Sequence, residues 1–209
     1  TLQSASKVNC TVNLGSITTA MNLYLSDNNE YYTPANFNTG EYLHGSWDDL
    51  LGQGYDGRNL SDGDVGRPGL SIGWGIYECS QQVDEYAQRN RRLRSYSMNC
   101  NQEGSSDGGI SSLWGETKSV SSDKIPNPSE TIILLENHGS LGAGYDGAGV
   151  YHYNDQMNSL NKNPDMYHQM QFSYLFADSH VELLLPLETC DPTIGDWWSG
   201  KYWTRNPDD

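Results

Sequence analysis

Three residues near the C-terminus, His168, Asp178 and His180, have the types and spacing to bind a metal or relay a proton, with His138 and His152 on neighbouring predicted strands. Imidazole titrates near neutral pH and offers a ligand nitrogen beside a donor nitrogen, so such a group suits either chemistry. The surrounding sequence supports neither. It holds no Gly-x-Ser-x-Gly elbow, no His-Glu-x-x-His helix and no paired Cys/His set at zinc-ligand spacing. A His two residues from an Asp at a hairpin is sufficiently explained as a structural hydrogen bond. No residue is therefore assigned a catalytic role, and the chain reads as a non-enzyme.

Four cysteines, Cys10, Cys79, Cys100 and Cys190, are scattered without a Cys-x-x-Cys pair, which leaves disulfides or inert thiols and favours an oxidising compartment. The short loop between Cys79 and Cys100 makes them the expected pair, with Cys10 read as a small apolar residue on a buried helix stripe. Asp56, Asp62 and Asp64 lie in a Gly-rich stretch, residues 52–75, and are candidates for a Ca²⁺ cage against the plainer reading of a polar loop. The spacing and closing Glu of an EF-hand are absent. Six Trp and fourteen Tyr against three Phe mean that Tyr and Trp must fill much of the core. Trp47 and Trp74 are expected there, whereas Trp197, Trp198 and Trp203 are candidate interface residues. Flat rings among Asn and Asp also suit a glycan-binding face.

The elements that position these residues follow from periodicity. Over residues 4–25, Cys10, Leu14, Ile17, Met21, Tyr24 and Leu25 fall in one arc at the helical period, predicting an amphipathic helix that stops in Ser26-Asp27-Asn28-Asn29. Ser46 and Asp49 have the pattern of a capping box opening a short helix. A further helix is predicted over residues 80–94, its C-terminal turn crowded with Arg89, Arg91, Arg92 and Arg94, where cations suit the helix dipole. Beyond a Gly/Ser loop the period changes to strands at residues 130–136, 149–153, 169–177 and 180–185. Phe172, Tyr174 and Phe176 share one face, and Asp178-Ser179 forms a two-residue hairpin turn. Helix first and antiparallel meander afterwards predict an α+β fold with the helix laid on the sheet.

The chain has 209 residues, with 12 Lys+Arg against 27 Asp+Glu. A net charge of −15 argues against nucleic acid or an anionic membrane surface as a partner. Its length suits one domain. No apolar run approaches the roughly 20 residues that span a bilayer. No secretory signal is visible, and Thr1 rather than Met opens the sequence, which suggests a processed or trimmed protein.

Several segments together resemble the prepilin-like, type II secretion pseudopilin-like proteins that carry a His, nine-residue spacer, Asp-Gly element near the C-terminus. His168 is followed by nine residues and then Asp178-Ser179, inside Tyr174-Leu175-Phe176-Ala177-Asp178-Ser179-His180-Val181-Glu182. Ser179 departs from the family's Gly, so the turn there is expected to be of another type or mildly strained. Cys10-Thr11-Val12-Asn13-Leu14, Tyr24-Leu25-Ser26-Asp27-Asn28-Asn29, Trp47-Asp48-Asp49-Leu50-Leu51, Tyr77-Glu78-Cys79, Ser95-Tyr96-Ser97-Met98-Asn99 and Pro126-Asn127-Pro128-Ser129-Glu130-Thr131-Ile132 follow in the family's order. The resemblance covers most of the chain, up to the Trp-rich tail.

It implies a pilin-like fold and a structural, non-enzymatic role in a type IV pilus-like or type II secretion filament. The soluble part would be periplasmic, with the full-length precursor anchored in the inner membrane, its N-terminus methylated, and other pilin subunits and the secretion machinery as partners. Residues 1–28 would be the C-terminal half of the pilin helix, 29–125 a loop-rich insertion, 126–187 the sheet and 188–209 the tail. His168, Asp178 and Ser179 become signature residues, of which His168 and Asp178 together would fasten the start of the hairpin to its turn. Major pseudopilins also bind Ca²⁺ in a C-terminal loop, a region where Asp191 and Asp196 lie here.

Overall fold

Residues 2–27 contain no Pro and one Gly, and only Lys7 and Asp27 are charged. In the computed structural model they form helix α1, Leu2–Asp27. The described residues are 2–38, 44–65, 75–79, 94–101, 110–112, 119–137, 149–150, 168, 170–189 and 202. With few charges to solvate it, α1 satisfies its hydroxyls internally: Thr11, Ser16, Thr18 and Thr19 each donate to the carbonyl four residues back. The expected stripe is the buried one, since Cys10, Leu14, Ile17, Met21 and Leu25 are all inside, joined by Ala20. Tyr24 is half-buried, edge-on to Tyr55 at 5.4 Å between ring centroids. The helix ends where expected. Asn29 takes φ 52°, and the Glu30 N–H donates to the Leu25 carbonyl at 2.9 Å, the six-to-one bond of a left-handed helix stop.

A two-stranded ribbon follows, β1 (Asn36–Asn38) antiparallel to β2 (His44–Ser46), leading directly into α2 (Trp47–Gly52). Ser46 is the N-cap, and its N–H donates to the Asp49 carboxylate at 3.1 Å, the reciprocal half of the predicted capping box. The main sheet is built from β3 (Tyr96–Asn101), β4 (Ser111–Ser112), β5 (Ile132–Glu136), β6 (Gly149–Val150), β7 (Phe172–Phe176) and β8 (Val181–Leu184). Its order is β4-β3-β5-β7-β8, with β6 also paired to β3. The pairs β3–β5, β5–β7 and β7–β8 are antiparallel, whereas β4 and β6 run parallel to β3. The fold is therefore α+β as expected, but the sheet is not a pure meander. The strand expected at residues 149–153 contributes only Gly149–Val150 among its described residues and pairs with β3.

α1 lies against β7, β8 and the 3₁₀ turn Gly75–Tyr77. Its buried side chains form one cluster with Met98, Cys100, Ile133, Leu134 and Leu175. Alternation along β7 turns Phe172, Tyr174 and Phe176 to the opposite face, where Phe176 stands edge-on to Tyr202 at 5.5 Å. The Tyr202 carbonyl accepts the Ile132 N–H at 2.9 Å. Both faces of β7 are thus covered, and all five of its residues are buried.

The hairpin turn differs from the two-residue form expected. Phe176 donates to the His180 carbonyl at 3.0 Å and Ser179 to the Phe176 carbonyl at 2.9 Å, so residues 177–179 make a three-residue loop. Its last position is left-handed, with Ser179 at φ 78°, the site where such loops favour Gly. The helix predicted at 80–94, Trp74, Trp114, His138, His152, Cys190 and the aromatic tail lie outside the described residues, apart from Arg94 and Tyr202. No described helix is long and apolar enough to cross a membrane.

Candidate functional site

Four segments meet beside α1, at the end of β5 and the approach to β7. Cys10 comes from the buried stripe of α1, and Cys79 follows the 3₁₀ turn Gly75–Tyr77. Glu136 ends β5, and His168 lies four residues before β7 begins at Phe172. The chain segments are held by bonds that leave the side chains little freedom: Cys79 N–H to Ser95 Oγ at 2.6 Å, Asn13 Nδ2 to the Glu78 carbonyl at 2.9 Å, and Tyr96 Oη to the Cys10 carbonyl at 3.2 Å.

Cys10 and Cys79 form a disulfide, with Cα atoms 5.4 Å apart. This corrects the expected pairing of Cys79 with Cys100, whose buried thiol donates to the Met98 carbonyl at 3.4 Å. The physical reason lies in packing. The apolar stripe that buries Cys10 delivers it to Cys79, whereas Cys100 points into the core from β3. Loop length alone does not decide such a pairing.

His168, 1% exposed, approaches Glu136 Oε1 with Nε2 at 3.1 Å and Cys79 Sγ at 3.6 Å. Glu136, fully buried, accepts the Ser173 N–H on its other oxygen at 2.9 Å. Burial, and after it the Glu136 carboxylate, pushes the Tyr96 hydroxyl well above its ordinary pKa. The expectation that His168 fastens the hairpin start to Asp178 is corrected here: His168 binds Glu136 across the sheet. Asp178 instead pairs with His180 Nδ1 at 2.5 Å, in a half-exposed pair. Burial raises the Asp178 pKa, yet the hydrogen bonds and charge of His180 outweigh it and hold the carboxyl below its ordinary value. His168 and Asp178 sit at opposite ends of β7, a strand of roughly 17 Å, so a shared centre of His168, Asp178 and His180 does not form.

The aspartates considered for Ca²⁺ are each engaged elsewhere. Asp62 accepts from Gln53 Nε2 at 2.8 Å, Asp64 accepts from Ser61, and Asp56 accepts from Arg58 Nε and Tyr77 Oη, both at 2.6 Å. Asp191 and Asp196 lie outside the described residues, as do Trp197, Trp198 and Trp203. Trp47 is fully buried, edge-on to Tyr77, as its core reading requires.

Asp56 belongs to a second buried constellation that the sequence did not reveal. Asp48, on α2, binds Arg94 and Arg58, and the Arg58 guanidinium lies 4.4 Å from the centre of the Tyr77 ring. Burial lowers the Arg58 pKa, but Tyr77, Asp48 and Asp56 together raise it further. Arg94 is thus a buried ion-pair partner, and the helix expected to end on it lies outside the described residues. The network ties α2 to the turn before β3 and offers no open face to a substrate.

Among the described residues, Cys10, Cys79, Glu136 and His168 are the one group of three or more His, Cys, Asp or Glu whose donor atoms approach one another closely, all within 4.8 Å. No motif pointed to Glu136. The available signal was an acidic residue closing the otherwise apolar Ile132-Ile133-Leu134-Leu135 run. No family model, no curated protein and no solved structure matches this chain.

Proposed function

We propose that the chain is the globular part of a pseudopilin-like filament subunit, a non-enzymatic component of a type II secretion or type IV pilus-like assembly. Its place would be the periplasmic side of the cell envelope, with other subunits as partners. The observation that carries this reading, beside the motif resemblance, is the outer face of α1. Opposite the buried stripe, Val8, Val12, Gly15, Thr19 and Leu23 recur at three- and four-residue intervals. Val8, Val12 and Leu23 are 61%, 59% and 52% exposed. A Cβ added at Gly15 would meet nothing within 4 Å among the described residues, so the smallness of that residue serves no contact with them. An uncharged stripe of this kind is what close packing against neighbouring helices needs. The buried Asp48 and Glu136 networks and the engaged aspartates agree with a structural role.

The test is to read about 30 codons upstream of Thr1 in its gene, where roughly 20 apolar residues must lie to anchor such a subunit. A prepilin-peptidase site followed by that run, with a Glu at the fifth mature position, is the expected result. A cleavable secretory signal or a lipid-anchor Cys there would overturn the proposal. A secreted glycan-binding module is the second reading. It is favoured by an open cleft of about 460 Å³ where Tyr24, Tyr31, Tyr32 and Phe37 flank Asn28. Rings and an amide suit sugar faces and hydroxyls. Retention on immobilised glycans, lost in Tyr31→Ala, would favour this second reading.

A further inference from the structure

We infer that the chain has a second covalent state, in which the reduced Cys10 and Cys79 join Glu136 and His168 as a buried, four-ligand site for zinc or a like divalent cation. The disulfide form already holds two of the six edges of such a site near their final length. In a tetrahedron with Zn–S of about 2.3 Å and Zn–N or Zn–O of about 2.0–2.1 Å, S and N lie about 3.5 Å apart and N and O about 3.3 Å. Cys79 Sγ stands 3.6 Å from His168 Nε2, and His168 Nε2 stands 3.1 Å from Glu136 Oε1. Every remaining pair of donor atoms is within 4.8 Å, so ligation needs rotation of side chains rather than movement of strands. The two sulfurs must part to about 3.8 Å, which Cα atoms 5.4 Å apart accommodate.

Three further features fit a structural metal centre. All four residues are buried, at 0%, 3%, 0% and 1% exposure for Cys10, Cys79, Glu136 and His168. A closed set of four protein ligands is the arrangement of zinc sites that hold a fold together. Glu136 is oriented by the Ser173 N–H on Oε2, which leaves Oε1 aimed at His168, as outer partners orient ligands in established sites. His168 Nδ1 has no hydrogen-bond partner among the described residues, so the ring can carry its proton there when Nε2 binds metal.

The interconversion balances. A dithiol gives two electrons and two protons to the disulfide and becomes a disulfide itself, the Cys10–Cys79 bond breaks and two thiols form. The cation then displaces both thiol protons to solvent, while the neutral His168 ring moves its proton from Nε2 to Nδ1. In an oxidising compartment the disulfide occupies the place. Under reducing conditions the cation holds the same four elements together. The inference does not depend on the filament reading.

The experiment uses the full chain, reduced with a phosphine that is then removed, and titrated anaerobically with Co²⁺ and then Zn²⁺. The expected result is one ion per reduced chain, with the strong visible bands of tetrahedral Co²⁺ and a thiolate-to-cobalt charge-transfer band, both bleached by Zn²⁺ and absent from the oxidised chain. Cys100→Ser should bind as the parent does. His168→Asn and Glu136→Gln should each weaken binding by more than the roughly hundredfold that losing an outer-shell partner costs. Should those variants fail to fold, X-ray absorption on the parent zinc complex decides. Two sulfur and two nitrogen or oxygen neighbours support the site, and any other shell overturns it. If reduction alone unfolds the chain, recovery of the helical circular dichroism on adding Zn²⁺ supports it and failure to recover refutes it. Equal uptake by oxidised protein, or none by reduced protein, also overturns it.

Discussion

Ser179 occupies a left-handed position at φ 78° that costs an L-residue about 1 kcal/mol or more relative to Gly. Among the described residues its side chain is tied to Asn22, by two solvent-exposed bonds of 3.2 and 3.4 Å. Ser179→Gly should therefore stabilise the fold by about 0.5–1 kcal/mol once the added freedom of the unfolded chain is subtracted. For a chain of this size that is about 1–4 °C in the thermal midpoint; an unchanged or lower midpoint would mean the turn relaxes around Ser179 without strain. His168 and Asp178 should also part company. His168→Ala removes a buried, charge-assisted partner of Glu136 and should cost about 2–3 kcal/mol, with strong coupling to Glu136→Gln in a double-mutant cycle. Asp178→Ala breaks a half-exposed pair and should cost under about 1 kcal/mol. A cycle showing coupling of His168 to Asp178 and none to Glu136 would contradict the packing described.

Among elements, α1 bears the most, because it is tied to the 3₁₀ turn by a bond closing 69 residues. Loop-closure entropy of that length makes Cys10→Ser with Cys79→Ser cost roughly 4 kcal/mol. This is measurable as a fall in the denaturant midpoint of the metal-free double variant, whereas Cys100→Ser should lower the unfolding free energy by less than about 1.5 kcal/mol. α1 was legible because its buried stripe repeats through 26 residues, and the capping box and hairpin because their signals are local. β3 was not recognised as a strand although Tyr96, Met98 and Cys100 alternate with Ser97, Asn99 and Asn101. Its polar positions carry no strand signal of their own, yet Ser97 and Asn99 are buried. Asn99 Nδ2 donates to the Ile132 carbonyl at 2.9 Å, and Ser97 Oγ receives Asn137 at 3.1 Å. Contacts of such sequence separation leave no local mark, and the same holds for the pairing of Cys10 with Cys79 and of His168 with Glu136. The Asp48–Arg94 pair failed to show for that reason too, since burying both charges depends on how α2 meets the turn before β3.

At the scale of the whole molecule, a core built on tyrosine in place of phenylalanine should give the protein an alkaline limit. Tyr32 is pushed up to about 12 by burial, with the charges of Glu30 and Asp178 adding to it. Burial raises Tyr77 and Tyr96 further still, Tyr77 despite the opposing charge of Arg58. A group whose folded pKa exceeds its unfolded value stabilises the fold fully below the unfolded pKa, here near 10, and that contribution is lost as pH rises toward the folded value. Between pH 10 and 12 the unfolded chain has released protons from all three tyrosines that the native chain retains. Each such proton lowers the unfolding free energy by about 1.4 kcal/mol per pH unit. Stability set by these groups should be flat through neutral pH and fall by about 4 kcal/mol per unit above pH 10, enough to unfold a protein of ordinary stability within two to three units. Phenolate absorbance should then appear in two phases: exposed tyrosines first, then a cooperative step coincident with loss of helical circular dichroism. Tyr32→Phe, which keeps the ring and gives up a single 3.4 Å bond to the Ala177 carbonyl, should lessen the slope by one proton and move that step to higher pH. A single smooth titration that leaves the circular dichroism unchanged would show that these rings reach solvent, and with it that the two faces of the sheet are not closed as described.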